Sequence, residues 1–167
     1  MDYTLCEYKS PAMDLLAFDL AKEFLVSSCG HPEEISGLVY DSLFPVRGSV
    51  FDRQLGNLLV VDSLGHVLQA WHGLKTLSQA EVERLYPGGR VRPEERRMFV
   101  MNTVFNMAET SLVASLIQFY HSQEETKAEL EDSGLRYRGQ FLSYSDIFKV
   151  GHINGSHCQY SQYINIL

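Results

Sequence analysis

Leu58-Leu59-Val60-Val61-Asp62-Ser63-Leu64-Gly65-His66-Val67-Leu68-Gln69-Ala70-Trp71 is the stretch that decides the fold class. Two apolar runs, 58–62 and 66–71, flank a short turn containing glycine, a pattern that predicts a β-hairpin. Downstream, Ser78 and Glu81 stand three apart, as in a capping box, and open a short helix that stops at Tyr86-Pro87-Gly88-Gly89. Residues 98–102 read as a further strand. Residues 109–121 read as a helix with Leu112, Leu116 and Phe119 on one face and Val113 and Ile117 beside them. The acidic run 124–134 reads as a solvated helix or loop. Upstream, Ser10 and Pro11 open a helix whose apolar face is Met13, Leu16, Leu20 and Phe24, with Gly30 and Pro32 as its stop. A shorter helix is expected over 33–40, and residues 1–5 read as the end of a strand running into a loop. Helices and strands are mixed without a clean βαβ alternation, so pattern alone gives an α/β class.

The 167 residues suit a single domain and carry a formal net charge of −7. An acidic chain without a basic block argues against a nucleic-acid backbone binder. No apolar run reaches the 18 or so residues of a membrane helix, and no leader pattern opens the chain. Three cysteines, Cys6, Cys29 and Cys158, are too few and too odd in number for a disulfide scaffold. These features give a cytoplasmic expectation with no membrane partner. Charge is unevenly spread: every charged residue lies between Asp2 and Lys149, and the last 18 residues carry none.

Local chemistry is sparse. His152, His157 and Cys158 are capable metal ligands, but their spacing matches no zinc pattern. Asn154-Gly155-Ser156 is a formal glycosylation sequon. His66 and His72 read as exposed or hydrogen-bonded structural histidines, Gly88-Gly89 as a turn, and Trp71 as core or surface packing.

A longer set of ordered motifs carries more. MDYTL at 1–5 and YKSP at 8–11 are followed by YDS at 40–42, FPVRG at 44–48, VFD at 50–52 and GNLL at 56–59. VD at 61–62, HG at 72–73, NTVFNMAET at 102–110 and FLSY at 141–144 complete the set. This series resembles the cytosolic purine 5′-nucleotidase family of the haloacid dehalogenase superfamily, in particular its 5′-nucleotidase domain-containing paralogues. The resemblance covers residues 1–149. It implies the N-terminal part of a Rossmann-like core over 1–57 with an incomplete, mostly parallel sheet, an α+β cap region over 58–149, and a divergent tail over 150–167.

The resemblance also implies a chemistry. In the family, two aspartates two positions apart serve a Mg²⁺-dependent hydrolysis of purine nucleoside 5′-monophosphates such as IMP and GMP. The first is the nucleophile that becomes an aspartyl-phosphate, and the second is the general acid/base. Asp2 matches the second and is expected to reach substrate and metal; Thr4 matches a loop-ordering threonine. The first has no counterpart, the chain opening at the methionine between the two, and the family's later Thr/Ser, Lys and acidic motifs are not found. The chargeless tail is accordingly expected to come from an alternative transcript. Phe105 and Asn106 match residues near the nucleotide base, and Arg92 and Asn102 match an adenine-nucleotide effector site. Ala108 stands where the family often has proline. The expectations are therefore a 5′-nucleotidase-like chain that is itself inactive, or a non-catalytic isoform binding a subunit or nucleotide, with homo-oligomer contacts retained.

Overall fold

The computed structural model describes residues 11–29, 31–44, 47–92, 96–103, 106–123, 132–138 and 140–151. Five strands form one antiparallel sheet: β1 (Ser49–Asp52), β2 (Asn57–Val61), β3 (Val67–His72), β4 (Lys75–Thr76) and β5 (Met98–Met101), in the order β4-β3-β2-β1-β5. The hairpin expected from residues 58–71 is β2 and β3. Its turn is held by Asp62, whose Oδ1 accepts from the N–H groups of Leu64 and His66, both at 2.8 Å. Gly65 has φ of +81°, and its missing Cβ would meet the Val91 carbonyl; only glycine lets the two segments approach so closely. A bulge falls between Val60 and Val61. β1 was legible only as a motif. All four of its residues are buried, so it shows none of the alternation that marks a half-exposed strand.

Three of the four described α-helices stack on one face of this sheet. α1 (Ala12–Cys29) buries Asp14, Phe18, Ala21 and Leu25, not the stripe Met13, Leu16, Leu20 and Phe24 that spacing suggests. The helix is apolar on more than one side, so periodicity alone cannot choose between neighbouring stripes. Packing selects the one holding Phe18 and Leu25, each fully buried, and leaves Leu15 and Leu16 41% and 47% exposed. Residues 33–40 form only a 3₁₀ turn, Glu33–Gly37, which seats Ile35 and then extends at Leu38. α3 (Asn106–Ser122) starts three residues before the expected Glu109, because the Asn106 side chain gathers the Thr103 N–H and hydroxyl at 3.1 and 2.8 Å. Leu112, Val113, Leu116 and Ile117 are buried as read, and Ala108, Ala114 and Tyr120 with them.

On the opposite face lies α2 (Gln79–Leu85), started by the capping box: the Ser78 hydroxyl accepts from the Glu81 N–H, and the Glu81 carboxylate accepts from the Ser78 N–H. Val82, Tyr86 and Val91 cover Val50, Leu59, Ala70 and Met98 there, while Phe51, Leu58 and Met101 meet the helices on the other side. A hairpin unforeseen in the sequence, β6 (Gly134–Tyr137) with β7 (Gln140–Ser143), leads into α4 (Tyr144–Gly151), whose Tyr144, Ile147 and Phe148 enter the helix-side core. Burying a side chain of this size is worth about 1.5–3 kcal/mol. The fold is thus a mixture of helices and sheets, and every strand pair among the described residues is antiparallel. Residues 1–10, most of 124–134 and all of 152–167 lie outside the described residues, and with them the readings made for those segments.

Candidate functional site

The most polar part of the interior is a single rung at one end of the sheet. Register sets Met98 opposite Asp52, Asp52 opposite Asn57, Asn57 opposite His72 and His72 opposite Lys75. Asp52 is fully buried. Its Oδ2 accepts from the Arg97 guanidinium at 3.0 Å and the Tyr86 hydroxyl at 3.0 Å, and its Oδ1 from the Gln54 N–H at 3.0 Å. The Asn57 amide donates to the Tyr86 oxygen at 2.9 Å, and Asn57 Oδ1 lies 2.8 Å from His72 Nδ1. His72 Nε2 is 3.0 Å from His121 Nε2, which is 2.9 Å from the Tyr144 hydroxyl. Seven side chains from β1, β2, β3, α3, α4 and the segments around Tyr86 and Arg97 thus form one continuous polar line.

Burial sets the protonation along this line. His72 is pushed down to about 4, first by loss of water and then by the neighbouring His121 and Lys75. Burial also lowers His121. Tyr86 is raised by burial and by the Asp52 carboxylate beside it, and Tyr144 is raised mainly by burial. Both histidines are therefore neutral and both tyrosines are protonated at neutral pH.

At the Arg97 end the line meets a cavity of about 530 Å³. Arg90, Arg92 and Arg97 line it together with Tyr86, Val91 and Met98, and among the described lining residues none is Asp or Glu. Arg97 Nε is buried without a hydrogen-bond partner among the described residues. Three arginines lining one concave space, one of them already held by Asp52 and Gln54, are suited to a phosphate or carboxylate, which accepts from the planar fork of arginine.

Of the residues singled out from the sequence, Arg92 lines this cavity. Asn102 does not: it follows the far end of β5, where its carbonyl accepts from Arg47 Nε at 3.3 Å. Asn106 is occupied at the start of α3, accepting from Thr103 and donating to the Glu109 carboxylate at 2.5 Å. Phe105, Asp2 and Thr4 lie outside the described residues. Among the described residues, no three or more His, Cys, Asp or Glu side chains gather to hold a metal ion. The Asp52 carboxylate is taken up by Arg97 and Tyr86. The Mg²⁺ expectation thus rests on Asp2 alone. His72 is the hydrogen-bonded structural histidine expected, and His66 bonds Asp62 at 2.9 Å. Asp52, Asn57, His72 and Tyr144 stand in the VFD, GNLL, HG and FLSY motifs, whereas Tyr86 stands in the YPGG turn, and spacing alone assigns none of them to a shared site. The available signal is the polar residue that each of those four motifs contributes; Tyr86 carries no such signal.

The model of the 5′ nucleotidase family matches residues 1–159. The chain belongs to the 5′-nucleotidase family. The family match runs past Lys149, where the motif resemblance was expected to cease. Among curated relatives, a 5′-nucleotidase domain-containing protein of Dictyostelium discoideum is 30% identical over 122 residues, covering 71% of this chain and 20% of that protein. Human 5′-nucleotidase domain-containing protein 2 is 27% identical over 144 residues, covering 77% of this chain and 27% of that protein. The 5′-nucleotidase family chain described here therefore spans between a fifth and about a quarter of the curated relatives it matches. No helix among its described residues is long and apolar enough to cross a membrane.

Proposed function

We propose that this chain supplies the anion-binding part of a 5′-nucleotidase-family protein, with the cavity of Arg90, Arg92 and Arg97 receiving the phosphate of an adenine-nucleotide effector. The observation that carries the reading is that three arginines line one cavity, with Arg97 paired to a carboxylate, Asp52, and no Asp or Glu among the described lining residues, in a chain of this family. Arg92, matched to the effector site by motif alone, lies in that cavity. Asn102 would contribute only if a bound nucleotide reached along β5. The test is equilibrium titration with ATP: binding should weaken about tenfold or more in Arg92→Ala, the loss of roughly one charge-assisted contact. Equal binding by wild type and variant would reject the cavity as the site.

The whole protein, on this reading, hydrolyses purine nucleoside 5′-monophosphates through an aspartyl-phosphate. Asp2 acts as general acid and base, Mg²⁺ is held nearby, and Phe105 and Asn106 lie near the base. The haloacid dehalogenase-like core over 1–57 and the cap over 58–149 are parts of the same proposal, as are a homo-oligomer and a cytoplasmic location. A positioned acid/base group supplies about 10²–10⁴-fold, against about 10⁶-fold or more for an enzyme. A polypeptide of these 167 residues is accordingly expected to release no phosphate from IMP with Mg²⁺. Measurable release would overturn that expectation and the assignment of Asp2 as a partner to a separate nucleophile.

A further inference from the structure

We infer that the arginine cavity is coupled to the seating of α4: an anion bound beside Arg97 is felt at the His121–Tyr144 contact through Asp52, Tyr86, Asn57 and His72. The inference rests on the reading that the cavity takes an anion. Its physical basis is that each hydrogen bond in the line fixes the direction of the next. The ionised Asp52 can only accept, so the Tyr86 hydroxyl donates to it. The Tyr86 oxygen then accepts from the Asn57 NH₂ group, which turns the Asn57 carbonyl oxygen toward His72. His72 must therefore carry its proton on Nδ1 and present the bare Nε2 lone pair to His121 and Tyr144. The tautomer of a histidine at one end is thus tied to a carboxylate at the other, with a hydrogen bond to the backbone of Leu55 also acting on the ring.

The line also ends in an element with two arrangements, which coupling between sites requires. His121 Nε2–H can donate directly to His72 Nε2 at 3.0 Å. Alternatively it donates to the Tyr144 oxygen at 2.9 Å, whose own O–H turns to His72 Nε2 at 3.4 Å. Which arrangement prevails depends on how strongly His72 Nε2 attracts a proton, and so on how strongly Asn57 and Tyr86 are polarised. Arg97 is the entry point. The Arg97 group that balances the buried Asp52 also belongs to the cavity wall. An anion drawing Arg97 toward the cavity leaves Asp52 leaning harder on Tyr86, and the change passes along the line. Tyr144 begins α4 and its ring lies on the backbone of Gly56, so its hydroxyl orientation reports on how that helix is held.

The experiment follows the imidazole ¹⁵N resonances of His72 and His121 in the full chain during titration with ATP, and compares ATP affinity in wild type and Tyr144→Phe. Tyr144 is not part of the cavity wall, so any change in affinity must travel along the line. Coupling is reciprocal for binding free energies. The expected results are saturable shifts of both imidazoles in wild type and an affinity change of about fivefold or more in Tyr144→Phe. ATP binding that Arg92→Ala weakens, with unmoved imidazoles and unchanged affinity in Tyr144→Phe, overturns the coupling while leaving the cavity reading intact. If ATP does not bind, the cavity reading fails, and the line is judged without ligand. Arg97→Gln, or Arg97→Lys if the first does not fold, should then move both imidazole resonances by itself; unmoved resonances overturn the inference.

Discussion

Asp52 accepts from four donors, namely Arg97, Tyr86 and the backbone N–H groups of Gln54 and Leu55, while being fully buried. A buried charge is tolerated only when it is paired and hydrogen-bonded. Arg97→Ala should therefore destabilise the fold by about 2–3 kcal/mol, below the 3–5 kcal/mol of a fully enclosed pair because the guanidinium is a third exposed. Urea unfolding checks this, and a double variant with Asp52→Asn should lose less than the two single losses together. His72 adds a pH dependence. Its folded pKa, about 4, lies below the ordinary 6.5, so the unfolded chain binds the proton first. The associated stability is complete above about pH 6.5 and is lost as pH falls toward 4, by roughly 3 kcal/mol in the limit. Unfolding midpoints at pH 7.5 and 5 should differ in wild type and differ less in His72→Gln, the remainder coming from the other histidines that burial lowers, His31 and His121.

Elements divide by whether local chemistry alone dictates them. The capping box at Ser78 is such a case, and Ser78→Ala should cost about 1 kcal/mol in thermal unfolding. The turn between β1 and β2 is the opposite case. Gly56 has φ of +69°, and a Cβ there would sit 2.6 Å from the Tyr144 ring. Gly56→Ala combines left-handed strain with a steric clash and should cost at least 2 kcal/mol or so by the same measurement. The sequence foretold the β2–β3 hairpin, α2, β5 and most of α3 because turn residues and apolar spacing act over a few positions. It did not foretell β1, whose four buried residues show no period, nor the β6–β7 hairpin, whose strands are four residues each. The buried face of α1 was missed because a helix apolar on several sides takes its orientation from what it packs against. The polar rung was illegible for a similar reason: Asp52, Asn57 and His72 belong to three separate motifs, and only strand register brings them opposite one another.

For the whole molecule, the sheet is covered on both faces, yet some apolar surface stays in water. Leu15 and Leu16 on α1 are substantially exposed, and Val100 is 39% exposed on β5, which has a strand on only one side among the described residues. Such surface favours self-association when it is left uncovered. Replacing Leu15 and Leu16 together by Lys should raise the concentration at which the chain aggregates, read by light scattering. Its unfolding midpoint should hardly change, since exposed positions contribute little. The contact of Tyr144 with Gly56 has a consequence for the order of synthesis. On a ribosome, the sheet, α2 and α3 can assemble once residue 122 has emerged, and the hydrogen bonds from Arg97 to His121 can close then. The place on Gly56 stays open to water until a ring arrives from 88 positions downstream. A nascent chain halted between those points would carry a finished sheet whose His72 and His121 still lack their partner Tyr144.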